Sequence, residues 1–404
     1  MSGPLQGVRI IDITTAVMGP SATQTLGDLG AEIIKVESPC GDSFRGTGPA
    51  RHPGMGAMFL GANRNKRSIV LDLKQASGRE ALLKLAQSAD VLIYNVRPRA
   101  MARLGLTYAQ VAAVSSRIIY CGAYGFRQDG PYAAKSAYDD LIQGAVGIPS
   151  LFAGSGGEPR YAPTAIVDRS VGLTIVYAVS AALFYRERTG KGQAIDVPMF
   201  ETMTEMVMSD HLYGKTFEPP LGEMGYTRLV SAQRRPFPTL DGHICVMPYG
   251  DKDWQLTFEL IGRTDLKADA RFADVATRTR NIAELYRLLA EGLRQRTTQE
   301  WLQAFDEADV PAMRLHTPES LLADPHLEQI GFFGFAEHPS EGTLRTMAVP
   351  TRWSESPPEV RRLAPRLGEH SVEVLREAGY PQGAIDALLD IGVTRDGRNP
   401  GSLT

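Results

Sequence analysis

The chain has 404 residues, 43% of them hydrophobic and 22% charged, with a formal net charge of −3. That length can hold two domains with sizeable cores, and the composition is ordinary for a soluble globular protein. The charge excludes a general nucleic-acid binder, which carries a strongly basic face.

The three cysteines, Cys40, Cys121 and Cys245, are far apart and show no metal-ligand spacing. Free thiols in a reducing cytosol are the simplest reading. The start, MSGPLQGVRIIDI, lacks the basic beginning and apolar run of a secretion signal. No run approaches the roughly 18 apolar residues of a membrane span. The expectation is a cytoplasmic protein with no membrane or nucleic-acid partner. No two histidines show metal-ligand spacing, so no metal is expected.

Residues 8–13 form a short apolar run, read as a buried strand. Gly19–Pro20 punctuates the chain, 21–29 reads as a helix closed by Gly30, and 31–36 is a second strand ending at Glu37. Such a β-α-β unit has a dinucleotide-binding alternative, with Glu37 on a ribose. Against it, the first turn, TTAVMGP, has no GxGxxG to admit a pyrophosphate.

Residues 38–67 look like a loop rich in Gly, Pro and Arg, carrying Arg45, Arg51, Arg64, Lys66 and Arg67. One reading is a solvated basic surface; the other is a phosphate site, since arginine forks suit phosphates. Further strands are expected at 69–74, 90–94 and 117–123, with a helix at 77–86. Strands alternating with helices make a parallel sheet covered on both faces. Ligands then gather beyond the carboxyl ends of the strands, where Asn95, Arg97 and Arg103 lie. A glycine-rich turn fills 122–131, and Tyr138–Asp139–Asp140 has the acidic first turn of a helix.

The stretch 161–197 organises the chain. A proline-punctuated loop ends in Asp168, and a long helix follows. Val171, Ile175, Val179, Ala182 and Leu183 fall at helical spacing, while Gly172, Ala178 and Ala181 allow close packing. Asp168 sits at or near the helix N-cap. There it either accepts an orphan backbone N–H or serves as a nucleophile. The helix N-terminus should keep it ionised, at or below its free pKa of about 3.9.

A methionine-rich helix is expected at 200–213 and a loop at 214–235. A strand at 244–247, helices at 253–262, 279–294 and 298–308, and a strand beginning at Pro311 make a small mixed unit. His370, before a C-terminal amphipathic helix, reads as a general base or a helix start, and the sequence gives it no partner.

Asp168 and its helix, followed by Arg186–Glu187–Arg188–Thr189–Gly190–Lys191–Gly192–Gln193 and Ile195–Asp196–Val197, resemble the class III CoA-transferases. The likeness runs from Leu5 to Leu389. That family shares its fold with the α-methylacyl-CoA racemases. The resemblance implies a large Rossmann-like α/β domain built from 1–200 and 330–404, and a smaller α/β domain at 225–315. Linkers fall at 201–224 and 316–329, and two subunits form an interlocked homodimer.

The implied reaction moves CoA from an acyl-CoA thioester to a small carboxylic acid. Asp168 is the acyl-accepting nucleophile, and coenzyme A is a substrate rather than a bound cofactor. The resemblance places CoA on Val17, Met18, Ser38, Leu71, Asp72, Leu73, Lys74, Asn95, Val96, Arg97, Arg103, Ser136, Ala137, Tyr138 and Asp139. Racemases carry a histidine where this chain has Tyr138. Formyl-CoA enzymes have glutamine, arginine and tryptophan where this chain has Val17, Ser38 and Thr47, which argues against formate and oxalate. Arg45 and Arg169 are basic groups that could receive the second carboxylate of a C4 to C6 diacid, with succinyl-CoA as donor. Finding both outside the pocket would remove that basis. The alternatives are an acyl-CoA isomerase of the same fold and a non-catalytic CoA-binding protein.

Overall fold

The computed structural model describes residues 3–398 apart from Ser155. Residues 1–2 and 399–404 of the expected large domain lie outside the described residues. The chain divides into two compact units. The first comprises Met1–Val146, Pro163–Thr204 and Gln329–Thr404; the second comprises Gly147–Ala162 and Glu205–Glu328. The segment 147–162, expected inside the large domain, clusters with the second unit, where Gly156 packs beside Ala232.

The first unit is built on β1 (Arg9–Ile13), α1 (Met18–Asp28), β2 (Glu32–Glu37), β3 (Lys66–Val70), α2 (Ala76–Ala86), β4 (Val91–Tyr94) and β5 (Ile119–Tyr124). After them come α3 (Asp139–Ala145), α4 (Ile166–Thr189) and β6 (Gln193–Pro198). The sheet has six strands in the order β3-β2-β1-β4-β5-β6, every neighbouring pair parallel. The central strands β1, β4 and β5 are almost wholly buried because both faces are covered, while the edge strand β6 is half exposed. Ile11, Ile34, Leu92 and Tyr120 join Leu82 and Leu85 of α2 in one buried cluster.

The third strand starts three residues earlier than the apolar run predicts. Lys66 and Ser68 are buried inside it, with Ser68 opposite Lys35. Asp72 then ends the strand's run by accepting the N–H of Lys74 at 3.0 Å.

The C-terminal part completes this unit. α9 (Ser371–Glu377) and α10 (Gln382–Asp390) bring Val374, Leu375, Ile385 and Leu388 into the core cluster that holds Ile69 and Leu82. Each such side chain contributes about 1.5–3 kcal/mol on full burial.

α4 is the central helix. Val171, Ile175 and Val179 are fully buried, and Gly172 lies against α1, where an added Cβ would sit 2.9 Å from the Ser21 hydroxyl. Ala181, by contrast, is on the exposed side of the helix in the single chain. The helix closes on Gly190, whose φ of 74° suits glycine. By length and composition alone this helix is apolar enough to cross a membrane, which the sequence reading overlooked. Its inner face is buried protein core, and its outer face carries Leu173, Tyr177 and Phe184 in the open.

The second unit receives the chain through α5 (Met199–His211). Its three-stranded antiparallel sheet runs β7 (Phe237–Pro238), β8 (His243–Val246), β9 (Ala312–Arg314). Packed with it are α6 (Asp251–Leu260), α7 (Ile282–Leu293) and α8 (Thr298–Glu307). Trp254, Phe258, Leu285, Leu289, Trp301 and Phe305 make its own core. Trp301 donates its indole N–H to the Leu293 carbonyl at 2.7 Å, so burial leaves that polar atom satisfied. Thr297 and Glu300 cap α8 reciprocally.

Candidate active site

A cleft of about 440 Å³ opens at the carboxyl ends of β1, β4 and β5. The strand order reverses between β1 and β4, so this is the switch point where ligands of open parallel sheets bind. Thr15–Met18 follow β1, Asn95–Arg97 follow β4, Tyr124 and Gly125 end β5, and Lys135–Asp139, Asp168 and Met199 close the walls. A second cavity, of about 390 Å³, lies in the other unit. It is lined by Phe237, Val246, Tyr286 and Met313 and has no carboxylate in its wall. Of these two, the first cleft is the one whose described lining holds carboxylates, Asp139 and Asp168.

The turn after β1 is gripped from below by charges that are out of water. Asp12, Lys35 and Lys66 are fully buried, and Asp42 is nearly so. Asp12 accepts the Thr14 N–H at 2.9 Å and the Thr23 hydroxyl at 2.6 Å, and lies 3.1 Å from the Lys66 ammonium. Burial alone would raise the Asp12 carboxyl; Lys66 and Lys35 override it and hold it well below the usual carboxylate range. The same burial pushes the Lys66 ammonium down to about 8, against the pull of Asp12. Lys35 donates to the Thr14 carbonyl at 2.8 Å and pairs with Asp42 at 2.9 Å. Asp42 accepts the Ala16 N–H at 3.1 Å.

Asp168 is the third residue of α4, and the N-cap is Ala165. It therefore does not cap its own helix. Its carboxyl is raised to about 6, first by burial and then by the like charge of Asp139, with Arg169 opposing. This corrects the expectation of a carboxyl held at or below its free value. Burial outweighs the helix N-terminus here. Asp139 accepts the Asp168 N–H at 2.9 Å and the Gln143 amide N–H at 2.6 Å, so its own orientation is fixed. A carboxylate with a raised pKa is more basic and more nucleophilic, yet it is predominantly ionised at pH 7.

Of the residues expected to bind CoA, Val17, Met18, Asn95, Val96, Arg97, Ser136, Ala137, Tyr138 and Asp139 line the cleft with Asp168. Asn95 is committed to the turn: its amide accepts the Thr15 N–H at 3.0 Å and donates to the Thr15 carbonyl at 2.8 Å.

The others are elsewhere. Leu71 is buried in the core and Leu73 packs on it. Asp72 serves its own turn, and Lys74, Ser38 and Arg103 are exposed outside the lining. Arg45 is almost wholly buried and forms a fork on Glu37, with both bonds at 2.7 Å. Arg169 is exposed and outside the cleft lining. Neither arginine is placed to receive a substrate carboxylate in the cleft. Glu37 is committed to Arg45 and to the Ser68 hydroxyl, which removes the ribose role a dinucleotide site would need.

His370 is the N-cap residue of α9, away from the cleft. The Ser68 N–H donates to its Nδ1 at 3.3 Å, and burial together with Arg362 lowers it to about 4. It is a neutral structural group. Of the glycines in the turn expected at 122–131, Gly122 lies within β5 and Gly125 reaches the cleft.

Sequence reasoning missed Lys135, which lines the cleft with its ammonium 3.9 Å from the Tyr132 ring centroid. Its one signal was adjacency to Ser136. Thr15, Ala16, Tyr124 and Met199 were also missed, because they bring no charged group and arrive from separate strand ends.

The cleft thus brings a raised carboxylate, Asp168, together with Arg97 and Lys135 at the switch point of a parallel sheet. The profile of CoA-transferase family III matches residues 5–371. The chain belongs to that family and is a CoA-transferase. It is 30% identical to the human succinyl-CoA:glutarate CoA-transferase, over 96% of this chain and 90% of that one. It is 31% identical to the formyl-CoA:oxalate CoA-transferase of Streptomyces coelicolor, over 96% of this chain and 98% of that one. A crystal structure of a CAIB/BAIF family protein from Brucella suis superimposes with a TM-score of 0.78 at 32% identity. That match covers 94% of this chain and all of the other.

Proposed function

We propose that the enzyme transfers CoA between carboxylic acids through a covalent intermediate on Asp168. The carboxylate attacks the donor thioester carbonyl, the C–S bond breaks, and CoA leaves as thiolate with a mixed anhydride behind it. The thiolate then attacks the aspartyl carbonyl of that anhydride, giving an aspartyl-CoA thioester and the free donor acid. The acceptor carboxylate attacks that thioester, and CoA returns to the new acyl group, restoring Asp168. Each step exchanges one activated acyl bond for another, with no net proton or electron consumed. Backbone N–H groups near residues 122–125 are the proposed donors to the oxyanions.

The observation that carries this reading is Asp168 itself, an activated carboxylate in the wall of the switch-point cleft. Val17, Met18, Asn95 to Arg97 and Lys135 to Asp139 are the proposed CoA contacts. Arg97 and Lys135 are cations on that wall, suited to its phosphates.

Arg45 and Arg169 stand outside the cleft lining and give no basis for a dicarboxylate. What remains is the likeness to a succinyl-CoA:glutarate enzyme, set against a formyl-CoA:oxalate relative of similar identity. Valine and threonine at positions 17 and 47 favour the former. Succinyl-CoA with C4 to C6 diacids is therefore the first panel to assay.

The proposed assembly is a homodimer. Leu173, Tyr177 and Phe184 are each more than 60% exposed on α4, an apolar stripe that a second copy would cover. Three free cysteines fit a reducing compartment such as the cytoplasm.

The competing isomerase reading lacks the histidine that racemases carry, since Tyr138 stands at that place and no histidine is among the described residues of the cleft. Incubation with succinyl-CoA and each diacid in deuterated water separates the two. New acyl-CoA product supports transfer. Deuterium in the acyl chain without a new CoA ester would establish the isomerase instead.

A further inference from the structure

We infer that Asp42, paired with Lys35, is a positioning residue that fixes the shape of the cleft turn Thr15–Met18. The inference rests on reading that cleft as the CoA-ester site.

Ala16 has a φ of 69°, a left-handed backbone on a residue other than glycine. Asparagine and aspartate tolerate that region through their own side chains; alanine has nothing to offer, so the hold has to come from outside. Asp42 supplies it from 26 positions further along the chain, accepting the Ala16 N–H at 3.1 Å. The same carboxylate oxygen accepts the Phe44 N–H at 3.0 Å, and the other lies 2.9 Å from the Lys35 ammonium. Lys35 in turn donates to the Thr14 carbonyl at 2.8 Å. The pair thus grips the turn on both sides of Thr15, while Asn95 holds Thr15 itself.

Stability alone does not call for such a pair, because apolar residues of similar volume serve a buried site at least as well. What the pair adds is geometry. With Ala16 locked, the backbone of Val17 and Met18, which opens α1 and lines the cleft, is held in one place. Asp42 is not in the cleft lining, so it acts through Ala16 and does not touch the ester.

The test compares wild type with Lys35→Met/Asp42→Leu, which leaves no unpaired buried charge, and with the same variant carrying Ala16→Gly. CoA affinity by calorimetry, kcat/KM for succinyl-CoA and thermal melting are read together. The double variant should melt cooperatively yet lose CoA affinity and kcat/KM on the order of ten- to a hundredfold. Ala16→Gly should recover part of that loss, since glycine holds a left-handed turn unaided. Wild-type affinity in the double variant, or no recovery with Ala16→Gly, overturns the positioning role. Absence of CoA binding by wild type overturns the cleft reading instead. Should the double variant fail to fold, Ala16→Val with Asp42 intact replaces it. It should weaken CoA binding. Wild-type CoA affinity in Ala16→Val overturns the inference.

Discussion

Asp139 accepts the backbone N–H of Asp168 at 2.9 Å, so the residue that adds negative charge to the site also orients the start of its helix. The two roles can be separated. Asp139→Asn keeps an acceptor oxygen and removes the charge. Burial is the larger cause of the raised Asp168 carboxyl, so it should fall from about 6 but stay above the ordinary carboxylate range. The rate of acyl transfer to Asp168 should rise with pH to a plateau in wild type. In the variant the midpoint should lie lower. Rapid-mixing kinetics between pH 4.5 and 8, taken as about the accessible range, measure both. An unmoved midpoint would remove Asp139 as a source of the shift.

The same carboxyl has a cost for stability, and its sign is fixed. Folding raises this group, so below the ordinary carboxylate range both states hold the proton and nothing is lost. As pH rises from 3.8 toward about 6 the unfolded chain gives up its proton first, and the folded state falls behind. Above that window the penalty is complete, at most ~3 kcal/mol and about 1–2 kcal/mol after partial exposure is allowed for. Asp168→Asn should therefore raise stability toward urea at pH 8 and leave it unchanged at pH 3.5, roughly the lower edge of the window. Equal gains at both pH values would contradict the assignment.

Arg45 illustrates how much of the fold the sequence shows and where it stops. The parallel sheet was legible because its strands are apolar runs separated by helical periods, and the core face of α4 was legible from Val171, Ile175 and Val179. Asp168 stood out through the motif around it. Arg45 read as a phosphate or carboxylate receiver because a charged side chain in a glycine-rich loop is ordinarily solvated. Its partner, Glu37, ends a strand and looked like a ligand residue in its own right. No local pattern announces that two such residues consume each other. Lys66 and Asp12 are the same case, separated by 54 positions and joined only by the fold. The shift of β3 by three residues follows from this, since a strand containing buried Lys66 does not look apolar.

That pairing makes its own prediction. Arg45→Met leaves the Glu37 carboxylate buried and unpaired, which costs about 3–5 kcal/mol. Glu37→Gln added to Arg45→Met should restore a large part of it. Among variants that fold, the relative rates with different acceptor acids should not change. A selective loss of diacid acceptors would return Arg45 to the substrate site.

The outer face of α4 predicts assembly. Tyr177 and Phe184 are 66% and 64% exposed in the single chain. If a second copy covers them, Tyr177→Glu/Phe184→Glu should shift sedimentation from dimer to monomer at micromolar protein. An unchanged dimer would place the interface elsewhere, and a wild-type monomer would leave this apolar stripe without the proposed cover.

The central claim is that Asp168 becomes covalently acylated. Mixing the enzyme with succinyl-CoA in the presence of hydroxylamine and mapping peptides by mass spectrometry reads it directly. The account predicts a hydroxamate on Asp168 that requires the CoA ester and is absent from Asp168→Ala. Transfer of CoA to an acceptor acid with no hydroxamate at Asp168, or with one on a different carboxylate, would contradict it.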